Sequence, residues 1–188
     1  MSRLHVLVHR PRRTLAALAT VLVAVGVTAA SGADFTATSA NPSNSFATGT
    51  LTMSNSNPGA AILSAGGMKP GDAPSTGQVD IGNTGSLSGA FTVKRGTPVD
   101  SDGSNPLSGK LNLVVVDCGD FSSGTPVCGD AGDVTKYTGT VAAMGTTGLG
   151  TFAGGEKHRY EFRVSVDSTA GNAYQGDSSE VEFTWDAA

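Results

Sequence analysis

The chain has 188 residues, of which 38% are hydrophobic, 15% are charged and 26 are glycine. That supports a single domain with a thin core, better suited to β-sheet with many tight turns than to a helix bundle. Four arginines, Arg3, Arg10, Arg12 and Arg13, precede every acidic residue; without them Lys+Arg falls from 12 to 8 against 16 Asp+Glu, a net charge of −8, and so acidic a body repels phosphate backbones and argues against nucleic-acid binding.

Residues 1–32 read as a signal peptide. A basic stretch over residues 1–13 leads into an apolar run over 15–29, and Ala29, Ala30, Ser31, Gly32 and Ala33 supply small residues for a cut between 29 and 33. The apolar run is short for a membrane span. Arg12-Arg13 before Thr14-Leu15 is a partial twin-arginine pattern, and general secretion is the favoured route. Residues 33–188 are then the exported domain. Cys118 and Cys128 flank the loop DCGDFSSGTPVCGD, and an even cysteine count in an exported chain predicts a disulfide. Two thiols with His158 as the one histidine after the leader make a poor metal site.

Taken in order, residues 34–39 (DFTATS) alternate, with Phe35 and Ala37 on one face. Asn41-Pro42-Ser43-Asn44 breaks that strand. Residues 46–53 form a second, carrying Leu51 and Met53 on one face, and 60–64 a short third. Pro70-Gly71-Asp72 is a turn: Pro fixes φ, Gly permits positive φ, and Asp bonds nearby backbone. Gln78, Val79, Asp80 and Ile81 alternate, Gly82-Asn83-Thr84-Gly85 turns, and Phe91 and Val93 resume the alternation. Residues 94–108 read as a polar loop. Residues 110–117 are apolar almost throughout, as in a central strand buried on both faces. Residues 134–144 give a weaker strand or strand pair, and 145–155 a Gly/Thr-rich loop. Tyr160, Phe162, Val164 and Val166 oppose Glu161, Arg163, Ser165 and Asp167 in the clearest strand. Val181, Phe183 and Trp185 alternate in the last one, placing Trp185 in the core. Eight or nine short strands between turn signals predict an all-β, antiparallel β-sandwich of jelly-roll type.

Reactive constellations are sparse. His158 stands beside no nucleophile elbow and reads as a solvated strand-edge residue. There is no HExxH, Walker loop or dinucleotide fingerprint, and the glycines of residues 145–150 lack the Lys and helix of a phosphate site. Asp100, Asp102 and Asn105, with Gly103 for a bend, present alternating oxygen ligands and are candidate calcium ligands, without the bidentate Glu of an EF-hand. Asp117, Asp120, Asp130 and Asp133 gather around the disulfide as a second calcium candidate, each set weighed against a solvated acidic loop. No other cofactor is expected.

Several motifs in order carry a family resemblance. The segment ADFTATSANPSNSFATGTLTM (33–53), with Phe46, Gly49, Thr50 and Leu51, resembles the mature start of TasA/camelysin-family proteins of bacterial biofilm matrices. Pro70-Gly71-Asp72, Asn83-Thr84-Gly85 and the closing NAYQGDSSEVEFTWDA (172–187) are similar to that family's turns and final aromatic strand. The resemblance implies a secreted jelly-roll subunit of extracellular fibres, self-associating by donation of an N-terminal strand. Here that strand is residues 33–40, through Asp34, Phe35, Thr36 and Ala37, with Phe35 as anchor. Its partners would be further copies or a related fibre subunit, with no membrane bound after cleavage. Camelysin-type relatives are described as metalloproteases; with a single mature His and no zinc motif, no enzymatic activity is expected here. A camelysin-like protease and a calcium-dependent adhesion module are the alternatives.

Overall fold

The computed structural model describes residues 15–19, 45 and 47–188. The chain divides into two units, Met1–Phe46 and Ala47–Ala188. Residues 15–19, in the first, are helical; among the described residues no helix is long and apolar enough to cross a membrane. The expected donor strand, residues 33–40 with Asp34, Phe35, Thr36 and Ala37, lies outside the described residues, as does Phe46.

The second unit is built from antiparallel strands joined by turns and loops, with three 3-10 turns among them. In chain order the strands are β1 (Met53–Asn55), β2 (Ser75–Asn83), β3 (Gly89–Arg95), β4 (Val99–Asp100), β5 (Leu111–Asp120), β6 (Val134–Thr140), β7 (Thr147–Phe152), β8 (Lys157–Val166), β9 (Ser179–Glu180) and β10 (Phe183–Ala187). Five of them form one sheet in the order β1-β2-β8-β5-β6, three form a second in the order β10-β3-β7, and β4 pairs with β9. The large pairings are nested. β5 and β6 form the innermost hairpin, β3 and β7 enclose it in the other sheet, and β2 and β8 enclose both.

One apolar core lies between the two larger sheets. Val79 and Ile81 of β2, Leu113 and Val115 of β5, and Tyr160 and Phe162 of β8 meet Phe91 and Val93 of β3 and Leu149 and Phe152 of β7. The period-2 alternation read from 78–81 and 160–166 is the physical cause, since it points one set of side chains at the facing sheet. Phe91 stacks on Phe152 at 4.3 Å between ring centroids, and Phe162 tilts against Phe183 at 4.8 Å.

Five sequence expectations need correction. Residues 145–155 contain a strand, β7, rather than only a loop. Its alternation is hidden because Phe91 pairs with Gly150 and Thr92 with Gly148, leaving Leu149 as a bulged residue; Gly150 takes φ 128° to allow it. Residues 60–64 form no strand. Ile62 and Leu63 pack on the core, with Ile62 O so close to Gly77 that a Cβ there would stand 2.1 Å from it. Of the expected 46–53 strand only Met53 lies in a strand, as the first residue of β1, and Trp185 is half-buried. The residues 110–117 do form an interior strand, β5, but the centre of the sheet is β8.

Candidate functional site

Two places stand out. One is a charge cluster at one end of the core. His158 shares the inward side of β8 with Tyr160 and Phe162, and Asp117 shares that of β5 with Leu113 and Val115. A bulge in β5, where Asp117 pairs with Tyr160 and Asp120 with His158, brings the two side chains together. His158 Nδ1 lies 3.0 and 3.1 Å from the two Asp117 carboxylate oxygens, and Nε2 lies 2.9 Å from Glu156 Oε1. Glu156 also accepts the Ala153 N–H at 2.6 Å, closing the β7–β8 turn. Lys136 Nζ stands 3.4 Å from Asp117 Oδ2 and donates to Leu149 O at 2.9 Å. Phe152 stacks over His158 at 4.7 Å.

Burial pushes the Asp117 carboxyl up, but hydrogen bonds from His158 and the Gly119 N–H, with the charges of His158 and Lys136, outweigh it and hold it below the usual carboxylate range. The hydrogen bond to Asp117, opposed by burial and reinforced by Glu156, raises His158 above its ordinary value. A carboxylate oxygen stands at hydrogen-bonding distance from each ring nitrogen, an arrangement that favours the imidazolium form, and the His158 side chain is only 17% exposed. The reading of it as a solvated strand-edge residue is overturned, because β8 is the middle strand and its inward parity carries the ring into the core. Both ring nitrogens are occupied, which leaves none to activate a nucleophile. The signal for this cluster was present in the sequence: a His and an Asp each fall at the apolar parity of a strand.

The second place is the outer edge of β10. Ala188 and Ala90 exchange backbone hydrogen bonds, and the Gly96 N–H donates to Glu182 O, so even-numbered residues face β3. The N–H and C=O of Phe183, Trp185 and Ala187 therefore point the other way, where no described strand pairs with them. A cleft of about 320 Å³ borders that edge, with Asn55, Asn57 and Ile62 on one side and Phe183 and Trp185 on the other. A more apolar cleft of about 530 Å³, lined by Ile62, Met68, Phe162, Val181 and Phe183, adjoins it.

The candidate calcium ligands each bond to groups of the protein itself, and Asp102 and Asn105 lie together. Asp100 accepts from Ser108 N–H at 2.8 Å and Ser108 Oγ at 2.7 Å. Asp102 accepts from Ser104 N–H at 2.8 Å and from Asn105 Nδ2 at 3.1 Å, closing its own loop. Around the disulfide, Asp117 turns to His158, Asp120 to Ser122, Asp130 to the Gly132 N–H and Asp133 to the Gly129 N–H. Among the described residues no group of three or more His, Cys, Asp or Glu is placed to hold a metal ion.

Cys118 and Cys128 are joined, with Cα atoms 4.9 Å apart, as an oxidising environment favours. Their loop is drawn onto the outer face of the five-stranded sheet. Arg159, paired with Asp80 at 2.8 and 3.1 Å, donates to Pro126 O, and Lys157 Nζ lies 3.7 Å above the Phe121 ring. No protein-family model matches the chain, and no curated protein matches its sequence.

Proposed function

We propose that the chain is exported, loses residues 1–32 as a signal peptide, and serves as a structural subunit of extracellular fibres. In assembly, residues 33–40 of one copy add a strand to the next. The observation that carries this is the outer edge of β10, which is unpaired among the described residues. A jelly roll nests four strand pairs alternately in two four-stranded sheets. The order β2-β8-β5-β6 fits one such sheet. The order β10-β3-β7 fits the other with no described strand beside β10, a position that a strand preceding the rest in the chain would fill.

An extended peptide adds to such an edge through main-chain hydrogen bonds, while alternate side chains seek pockets. Residues 33–40 span about 26 Å when extended, more than the roughly 17 Å of the five-residue β10. Phe35 and Ala37 would face the cleft beside Phe183 and Trp185, and Thr36 would face out. Contact from front end to edge does not close on itself, so it propagates as a filament. The disulfide supports an extracellular setting, and the two-carboxylate grip on His158 supports a structural role for that cluster.

The test is electron microscopy of the leader-free protein beside a variant lacking residues 33–40. The variant is expected to remain a folded monomer and to form no filaments. Filaments unchanged in the deletion would overturn strand donation.

A further inference from the structure

We propose that Lys136 and Asp117 condense to an intramolecular amide, covalently joining β6 to β5. The bulge that sets Val115 opposite Tyr137 and Val116 opposite Thr135 leaves Lys136 as the extra residue of β6. A bulge re-aims its side chain, and here the Nζ reaches Leu149 O across to the other sheet. That bond fixes the nitrogen 3.4 Å from Asp117 Oδ2. The separation exceeds the roughly 2.7–2.9 Å of a direct ammonium–carboxylate hydrogen bond. The amine is thus positioned beside the carboxylate rather than fully engaged by it.

Donors converge on one carboxylate oxygen. Its Oδ1 accepts the Gly119 N–H at 3.0 Å and lies 3.0 Å from His158 Nδ1. Two fixed donors at one oxygen are what a tetrahedral intermediate needs. The site is partly shielded from water: the Asp117 and Lys136 side chains are 7% and 20% exposed, and Phe152 covers His158. A buried ion pair is costly to keep out of water, whereas the amide is neutral. Two groups held in one place react as though at very high concentration.

The step balances without any co-reactant. The Lys136 ammonium passes one proton to Asp117 Oδ2, and the free amine attacks the carboxyl carbon. Negative charge gathers on Oδ1, between the Gly119 N–H and His158. The C–Oδ2 bond then breaks as His158 protonates the departing hydroxyl, and His158 recovers its proton from the same nitrogen. One hydrogen remains on the amide and two leave with Oδ2 as water; positive and negative charges cancel. Glu156 holds His158 in place throughout, and is a positioning residue.

The test is the intact mass of the secreted, folded protein, measured in denaturant after its N-terminus has been read. The expected mass is one water below that of the disulfide-bonded sequence. Trypsin should fail to cut after Lys136, and a second cut within the 118–135 segment should yield a branched peptide joining Asp117 to Lys136. Lys136→Arg should restore both the full mass and ordinary peptides. Full mass in the native chain overturns the proposal. So does a water deficit that persists in Lys136→Arg, which would locate the loss elsewhere, for instance at Asp102-Gly103. Lys136→Arg keeps charge and bulk, so the comparison survives even where Asp117→Ala does not fold.

Discussion

The two lateral edges of the sandwich are finished differently. At the edge formed by β6 and β7, side chains stitch one sheet to the other. Lys136 on β6 reaches Leu149 O on β7, and Arg95 on β3 donates to Ala142 O in the 3-10 turn that links β6 to β7. Thr140 caps that turn by accepting the Ala143 N–H at 3.2 Å, and Tyr137 Oη donates to Thr140 O at 2.7 Å. At the edge formed by β1 and β10, β1 covers three residues of β2 and the outer side of β10 is unpaired among the described residues. The segment after β1 holds on through Ser56 N–H to Asp80 O at 3.0 Å and a long Asn57 contact to Gln78 O at 3.4 Å. Nesting explains the contrast. The chain passes from β6 to β7 through the short segment 141–146, which closes that side, whereas no described strand covers the outer side of β10.

The sharpest way to break this comparison is to block the open edge alone. Ala187→Pro removes an N–H that points away from β3 and leaves the β3–β10 ladder intact, as proline on an edge strand can. Filaments are expected to vanish under electron microscopy while the melting temperature moves by no more than a degree or two. Filaments of normal length would show that β10 is not the accepting edge.

Much of this asymmetry was hidden in the sequence. The strands that alternate cleanly, β2 and β8, were legible, because each faces a core on one side only. β7 was not, because the bulge at Leu149 moves its two buried side chains, Leu149 and Phe152, out of period-2 spacing. The His158 cluster was half legible: the disulfide and the histidine were plain, but the pairing of Asp117 with His158 depends on a bulge in β5, which leaves no periodic trace. Which edge stays open depends on strand order, a non-local property that turn signals do not encode.

On the closed side, the disulfide should matter by an intermediate amount. Cys118 and Cys128 tie the end of β5 to the loop that feeds β6, and close a short loop with a sequence separation of 10. Replacing both by serine is expected to cost about 2–3 kcal/mol, chiefly by freeing the unfolded chain. A chain of this size would then melt roughly 5–10 °C lower. Filament formation by the surviving folded protein should persist, since the loop lies far in strand order from β10. Loss of filaments at temperatures where the variant is folded would tie the two edges together.

The smallest expected effect is a pH dependence confined to the closed side. It is best read in Lys136→Arg, where Asp117 keeps its carboxylate. His158 faces Asp117 on β5, with Asp120 further along the same strand, Glu156 in the β7–β8 turn, residue 136 on β6, and the buried Tyr160 on its own strand. The folded state raises the His158 value, so the imidazolium stabilises fully below about pH 6.5 and that contribution fades as pH climbs through the raised value. The Asp117 and Glu156 values are lowered by folding, Glu156 chiefly through its hydrogen bond to His158, so their contribution is present above the usual carboxylate range and fades as pH falls through the lowered values. Stability should therefore peak between those limits. On the alkaline side a neutral ring can donate to only one of its two carboxylates, and the freed one is Glu156, which is more exposed than Asp117 at 29% against 7%. Loosening should begin at the Ala153–Glu156 turn. Thermal melts from about pH 5 to about pH 9 should decline above neutrality, and His158→Gln should flatten that decline, because its amide has no charge to lose. An equal alkaline decline in His158→Gln would assign the pH dependence to other groups and leave the stitched edge without its charged clamp.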